Sequence, residues 1–397
     1  MGSGHSFWVR TGREKERAML KKSLVLLIPV VFVLIVSQGF AAVQYAVISE
    51  SFNVPSGGTL TMEVVAADIR IVESQGGVNV SVKGLPDKYR QWLEMDQSSD
   101  GVMISFEPEE RVRNIDSLLF EIGVPSEYSL DLSTTGGDIG VTRQITGIVD
   151  LSSAGGDISC REMVNGTVHV STSGGDIEVV DVQGDIELST SGGDIEAGIV
   201  SGSAEIETSG GDIEVNSVRG SLEASTAGGD IDVVEVGGNA ALETAGGDIT
   251  AGTIGGNLEA STAGGDIEVK EVRGEAKAET AGGDIKLEKI GGEFEASTVG
   301  GDVLVSLTGS YPGEMSTLGG ELVLLLPSSA QVSIEAEVRF SGDDDDADSV
   351  IVSEFGDISL RRGSIINTVS SDFDINGGGP VIEMGNLRGT IAVKKLP

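Results

Sequence analysis

One cysteine, two histidines, nine prolines and 4% aromatic side chains are few for a chain of 397 residues. A lone cysteine excludes a disulfide framework and a cysteine-based zinc site. Basic residues are scarce as well: 26 Lys and Arg stand against 63 Asp and Glu, a formal net charge of −37. Such a surface repels phosphate backbones and anionic headgroups, so no nucleic acid is expected as a partner, and no membrane contact beyond the N-terminal segment. The 39% of hydrophobic residues are too regularly placed for a disordered chain. What is abundant is glycine, at 58 residues, among alternating β-branched side chains. This composition describes a long β protein with a thin core.

The only long apolar run, thirteen residues at 24–36, follows Lys21 and Lys22 and precedes Gly39-Phe40-Ala41. A spanning helix needs about 20 such residues. A basic flank, a short apolar stretch and a small-x-small exit describe a secretory signal peptide, with an uncleaved membrane anchor as the alternative. Residues 1–42 therefore read as a leader, and the body as exported to the cell surface, envelope or medium. Met19 opens a complete signal by itself, so residues 1–18 read as an extension upstream of the true start. The leader holds six basic and two acidic residues and the remainder 20 and 61, so the exported body is more acidic than the whole chain suggests.

Internal repetition dominates the body. Gly-Gly-Asp recurs with its aspartate at Asp138, Asp157, Asp176, Asp194, Asp212, Asp230, Asp248, Asp266, Asp284 and Asp302, first at two intervals of 19 residues and then at seven of 18. An apolar residue follows each aspartate, as at Ile195 and Ile213, and another stands two further on, as at Val179 and Val215. Val182, Val200, Val218 and Val236 come six after the aspartate, and from Asp176 to Asp284 a glycine always comes eight after it. Pairs such as Leu222/Ala224 follow at ten and twelve. Alternation marks strands and Gly-Gly marks turns, and half a repeat leaves no room for a helix. The pattern predicts an all-β, right-handed parallel β-solenoid with 18 residues per coil and columns ~4.8 Å apart. Two or three faces remain open, because the step from Val179 to Val182 implies an extra corner. Residues 136–324 form the regular stack; 43–135 and 325–397 read as irregular, wider capping coils.

The two turns of a repeat differ. Four residues before the aspartate stands Thr190, Thr208, Thr226, Thr244, Thr262, Thr280 or Thr298, whereas the opposite turn varies through Asp181, Ile199, Ser217, Glu235 and Thr253. One edge is therefore uniform, Thr-x-Gly-Gly-Asp. Ionised aspartates stacked at the strand spacing repel by about 0.9 kcal/mol per neighbouring pair in water. Two arrangements relieve this. Each carboxylate accepts local hydrogen bonds from turn N–H groups or from the threonine hydroxyl, or divalent cations such as Ca²⁺ bridge successive coils. One aspartate per coil is a poor calcium ligand set, and the residue order departs from the Gly-Gly-x-Gly-x-Asp of calcium-binding toxin repeats, which favours the first arrangement and no cofactor.

Elsewhere, residues 85–95 read as a short helix whose Trp92 plugs a cap. Asp343, Asp344, Asp345 and Asp346 form a solvated acidic loop. Asn79-Val80-Ser81 and Asn165-Gly166-Thr167 match glycosylation sequons. Cys160 falls in the inward column of Val179, and His169 in the outward column of Glu187 and Glu205, so neither belongs to a catalytic constellation. A polysaccharide lyase on a β-helix needs loops walling a groove; seven unbroken 18-residue intervals leave room for one only at the ends, near Arg361, Arg362 and Arg388.

Three stretches, 52–82, 120–141 and the ending GGGPVIEMGNLRGTIAVKK, together resemble the putative-adhesin β-strand-repeat family of bacterial and archaeal envelope proteins, a domain of unknown function. The resemblance implies a right-handed β-solenoid with a surface or adhesive role and carries over no catalytic residues. The expected function is thus a non-enzymatic adhesive or scaffolding element with a glycan or protein ligand. A self-associating, polymer-forming scaffold like the bactofilins is the alternative, and a carbohydrate-active enzyme comes third.

Overall fold

Each repeat becomes two strands because its apolar residues alternate in two separate runs. In the coil that begins at Asp212, Ile213–Val218 forms a six-residue strand and Leu222–Thr226 a shorter one. Ile213, Val215 and Val218 are buried from the first, and Leu222, Ala224 and Thr226 from the second. One coil on, Ile213 lies beside Ile231, Val215 beside Val233 and Val218 beside Val236, all parallel. Leu222 and Ala224 lie likewise beside Ala240 and Leu242. The stack is a parallel β-solenoid with two faces, one of longer and one of shorter strands. The step from Val179 to Val182 is a bend inside the strand Ile177–Val182, where Val180 turns outward, and not a third corner.

This computed structural model describes residues 47–109, 117–339, 350–362 and 368–397. The leader and the run Asp343, Asp344, Asp345 and Asp346 lie outside them. In four successive coils of the thin core, large and small side chains of the short-strand face alternate in counterphase. Ala204 stands with Ile206, Leu222 with Ala224, Ala240 with Leu242, and Leu258 with Ala260, each at most 4% exposed. The volume these two positions contribute therefore stays nearly constant across those four coils, as close packing demands.

At both ends chain order and spatial order part. The coil made by Gly58–Val64 and Asp68–Glu73 is enclosed on two sides. Tyr128–Thr134 and Ile139–Val141 pair with it toward the regular stack, and Gly101–Phe106 and Leu119–Val124 pair with it on the outside. Farther out, Ile48–Phe52, Val78–Lys83 and Leu93–Gln97 run antiparallel to their neighbours. The other end follows the same plan. Val381–Asn386 and Ile391–Lys395, last in the chain, lie between Gly313–Thr317 with Leu322–Leu326 on one side and Val332–Arg339 with Ile351–Ser353 on the other. Thr368–Ile375 then runs antiparallel to Val332–Arg339. The ends are thus reordered coils covered by antiparallel strands, rather than the wider coils expected. Exposed Glu50, Glu94, Asp96, Arg361 and Arg362 lie on the outermost strands, which discourages edge pairing.

The helix expected at 85–95 is a 3₁₀ turn, Asp87–Trp92, followed directly by the strand Leu93–Gln97. Tyr89 plugs the cap at 2% exposure. Trp92 packs against it half-buried, with ring centroids 5.9 Å apart.

Candidate functional site

The uniform edge is built from the glycines upward. The second glycine of each pair has no room for a side chain: a methyl group on Gly229 would sit 2.0 Å from the Gly211 carbonyl oxygen. This close approach brings the aspartate of one turn over the backbone of the next. Asp230 N–H donates to Asp212 Oδ1 at 2.8 Å, and Asp248 N–H to Asp230 Oδ1 at 2.8 Å. The same bond recurs from Asp68 through Asp138, Asp157, Asp176, Asp194, Asp266 and Asp284 to Asp302, shortening from 3.1 to 2.7 Å along the chain. The Glu321 N–H takes the last rung, at 2.7 Å from Asp302 Oδ1. A hydrogen bond to a charged acceptor is worth about 1.5 kcal/mol or more, which outweighs the roughly 0.9 kcal/mol of repulsion between neighbours.

These bonds run between coils and not within a turn. The threonine hydroxyls, moreover, do not serve the carboxylates. Thr244 Oγ1 donates to Gly229 O of the preceding coil at 2.9 Å and accepts from Gly247 N–H at 3.3 Å. Thr190, Thr208, Thr226, Thr262, Thr280 and Thr298 do the same, all nearly buried. Thr134, Ser153, Thr172 and Thr317 extend the column, and at its end Asn386 Nδ2 donates to Gly320 O at 2.8 Å. Replacing Thr244 by Val keeps the shape and strips both partners. The expected loss is about 2 kcal/mol in urea unfolding, whereas Thr244→Ser should cost under 1 kcal/mol.

Two features escaped the sequence. Asp68 joins the aspartate column although it lies far from Asp138 in the chain; its signal is that Ala67-Asp68-Ile69 resembles the Gly-Asp-Ile of the repeats. The opposite turn also carries a ladder, four residues past the variable positions. Ser203 N–H bonds Asp185 Oδ1 at 2.8 Å, and Asn257 and Glu275 N–H bond Asn239 and Asn257 Oδ1 at 3.0 Å. The recurring Gly-Asp, Gly-Ser and Gly-Asn pairs could have shown it.

Both faces are lined with carboxylates. A shallow groove of about 900 Å³ follows the short-strand face past Glu187, Glu205, Glu223 and Glu259. A second, of about 640 Å³, follows the aspartate edge past Asp194, Asp212, Glu196 and Glu214. The side chains stand in parallel rows and do not converge; among the described residues no three His, Cys, Asp or Glu are grouped to hold a metal ion. Toward the C-terminal end the rows are interrupted by lysine. Lys286 bonds Glu268 at 2.7 Å and Glu288 at 3.1 Å, which holds the Glu268 carboxyl below its ordinary range. His169 faces outward, 3.9 Å from Glu187. Cys160 is buried beside Val179, and burial pushes its thiol up to about 12. Arg361 pairs with Asp372, and Arg388 lies on the turn after Asn386.

If these coil-to-coil hydrogen bonds alone hold the column, Asp212, Asp230 and Asp248 can all become Asn without loss. Each Asn keeps its Oδ1 acceptor while repulsion falls. The triple variant should melt at or above the parent temperature in low salt. Calcium at millimolar level should raise the parent's melting temperature no further than sodium chloride of equal ionic strength. A calcium-specific rise, abolished by the three substitutions, would show cation bridging instead.

Two carboxylate-lined faces on a parallel β-solenoid, locked by side-chain ladders at the turns, define an all-β repeat protein. Residues 59–255 match the family model described as Toastrack DUF4097, a domain of unknown function. The match includes most of the stretch 52–82 and all of 120–141, so the resemblance drawn from them is borne out. No curated protein matches. Among solved structures, one titled a putative adhesin from Bacteroides fragilis is similar over 88% of this chain and 97% of its own, at 14% identity and a TM-score of 0.23. One titled a putative cell adhesion protein from Clostridium sporogenes covers 88% and 98% at 9% identity and a TM-score of 0.18. A third, titled a putative lipid binding protein from Parabacteroides distasonis, covers 88% and 97% at 13% identity and a TM-score of 0.22.

Proposed function

We propose that this protein is an exported, non-enzymatic β-solenoid that acts at the cell surface or envelope as an adhesive or scaffolding element. One observation carries the proposal: residues 176–265, five coils, hold eighteen acidic residues and one basic one, Arg219, spread along both faces in strand register. Rows of identical groups on a stiff stack offer many equivalent weak contacts, which suits avidity for a repetitive glycan or protein partner. Bond-making chemistry needs the opposite, a few unlike groups converging on one point. The antiparallel strands over both ends favour this reading above a head-to-tail polymer of closed copies.

Fractionation of the native host with N-terminal sequencing tests the location. The expected product starts near Ala42 and sits in the envelope or surface fraction. The purified body should retain ligands on a glycan array, or host-surface proteins, without altering them. Turnover of a bound glycan, or a cytosolic protein with its leader intact, would overturn the proposal.

A further inference from the structure

We propose that the stack edge formed by Gly313–Thr317 and Leu322–Leu326 accepts the C-terminal strands of a second copy of this chain in place of its own. The edge is a coil-binding template, because the segment seated on it imitates a coil that is not next in sequence. Ile382 lies beside Gly313 and Met384 beside Met315, while Ile391 and Val393 lie beside Leu322 and Leu324, the parallel register of the regular repeats. Asn386 takes the threonine position and bonds Gly320 O. Gly389 takes the position of the crowded second glycine, since a methyl group there would lie 2.0 Å from Gly320 O. The aspartate position holds Thr390, so the carboxylate rungs stop one coil short, at the Glu321 N–H.

The seated segment belongs to a module. Val332–Arg339, Ile351–Ser353 and Thr368–Ile375 pair with the last strands or with each other. Among the described residues, the module's strand pairings to the stack run only through Val381–Asn386 and Ile391–Lys395. Pro327-Ser328-Ser329-Ala330-Gln331 joins it to the stack. An identical module from a second copy makes the same pairings, so exchange changes no contact except at the joining segment and is governed by concentration against the tether. This goes beyond the adhesive proposal: exchange would link stacks and multiply their acidic faces.

The test uses two full-length populations. One carries Ser316→Cys and the other Gly385→Cys. These positions are register partners on the outer surface, Gly385 exposed and Ser316 half-buried, with Cβ positions 4.0 Å apart, within disulfide range. Neither variant can close this bridge within its own chain. Mixed at high concentration under mild oxidation, they should yield a disulfide-linked heterodimer carrying both substitutions. Its yield should exceed at least tenfold that of a control mixture in which Ser189→Cys, on the same face in the middle of the stack, replaces Ser316→Cys. Equal yields in the two mixtures, or no heterodimer while both variants keep the parent's strand signal and melting temperature, would overturn the exchange. Loss of that signal in either variant would overturn it as well, since Ser316→Cys is nearly isosteric and a Cβ on the exposed Gly385 would meet nothing nearer than 4.0 Å.

Discussion

Gly229→Ala should cost about 3 kcal/mol or more, while Gly228→Ala, one residue earlier, should stay within about 1 kcal/mol. The two glycines look alike in sequence, and neither has a left-handed backbone that would demand glycine. They differ in what lies above them. A methyl group on Gly229 would meet the Gly211 carbonyl oxygen at 2.0 Å and Asp212 Oδ1 at 2.6 Å, both parts of the adjoining coil. On Gly228 the nearest atom would be 3.6 Å away. Relieving the first clash means lifting one coil off the other. That stretches the Asp230 N–H bond to Asp212 and the Ile213 N–H bond to Asp230 O, 2.9 Å long. Urea unfolding of the two variants, followed by circular dichroism, measures the difference. Equal costs would mean that the glycines serve the turn itself and not the approach of coils.

Val215→Asp should be at least as damaging, with an expected loss of about 3–5 kcal/mol, against about 0.5 kcal/mol for Glu214→Lys. Val215 is 2% exposed and sits between Ala197 and Val233 in an interior without polar partners for a carboxylate. Glu214, one step along the strand, faces outward between Glu196 and Asp232. A lysine there meets carboxylates on both sides, as Lys286 meets Glu268 in the same column, so its effect should be small and in the stabilising direction. Thermal melts at low and high salt check both. A Glu214→Lys variant as unstable as Val215→Asp would place the strand in the opposite register.

The particular residues show why some of this was legible and some was not. Val215 inward and Glu214 outward follow from alternation, because a strand has only two sides and a one-residue slip would bury every glutamate. The thread of aspartates was legible as a column, but its bonding was not. Spacing places Asp212 beside Asp230 and says nothing about whether the carboxylate leans back to its own turn or forward to the next backbone. The partner of Thr244 was misassigned for the same reason. Asp68 was missed because the coil that follows it in sequence does not follow it in space.

The sequence by itself determined the all-β solenoid, its 18-residue coil, the inward and outward columns and the acidic faces. Each of these follows from local periodicity and from counting charges. Only the tertiary structure decided that the coil has two faces, that aspartates and threonines serve separate partners, and that the end coils lie out of order. Parallel coils share one register and one apolar pattern, so any coil fits beside any other as far as alternation is concerned. Which ones meet depends on closing the exposed edges with antiparallel strands, and that requirement is carried by the assembled stack rather than by any single repeat.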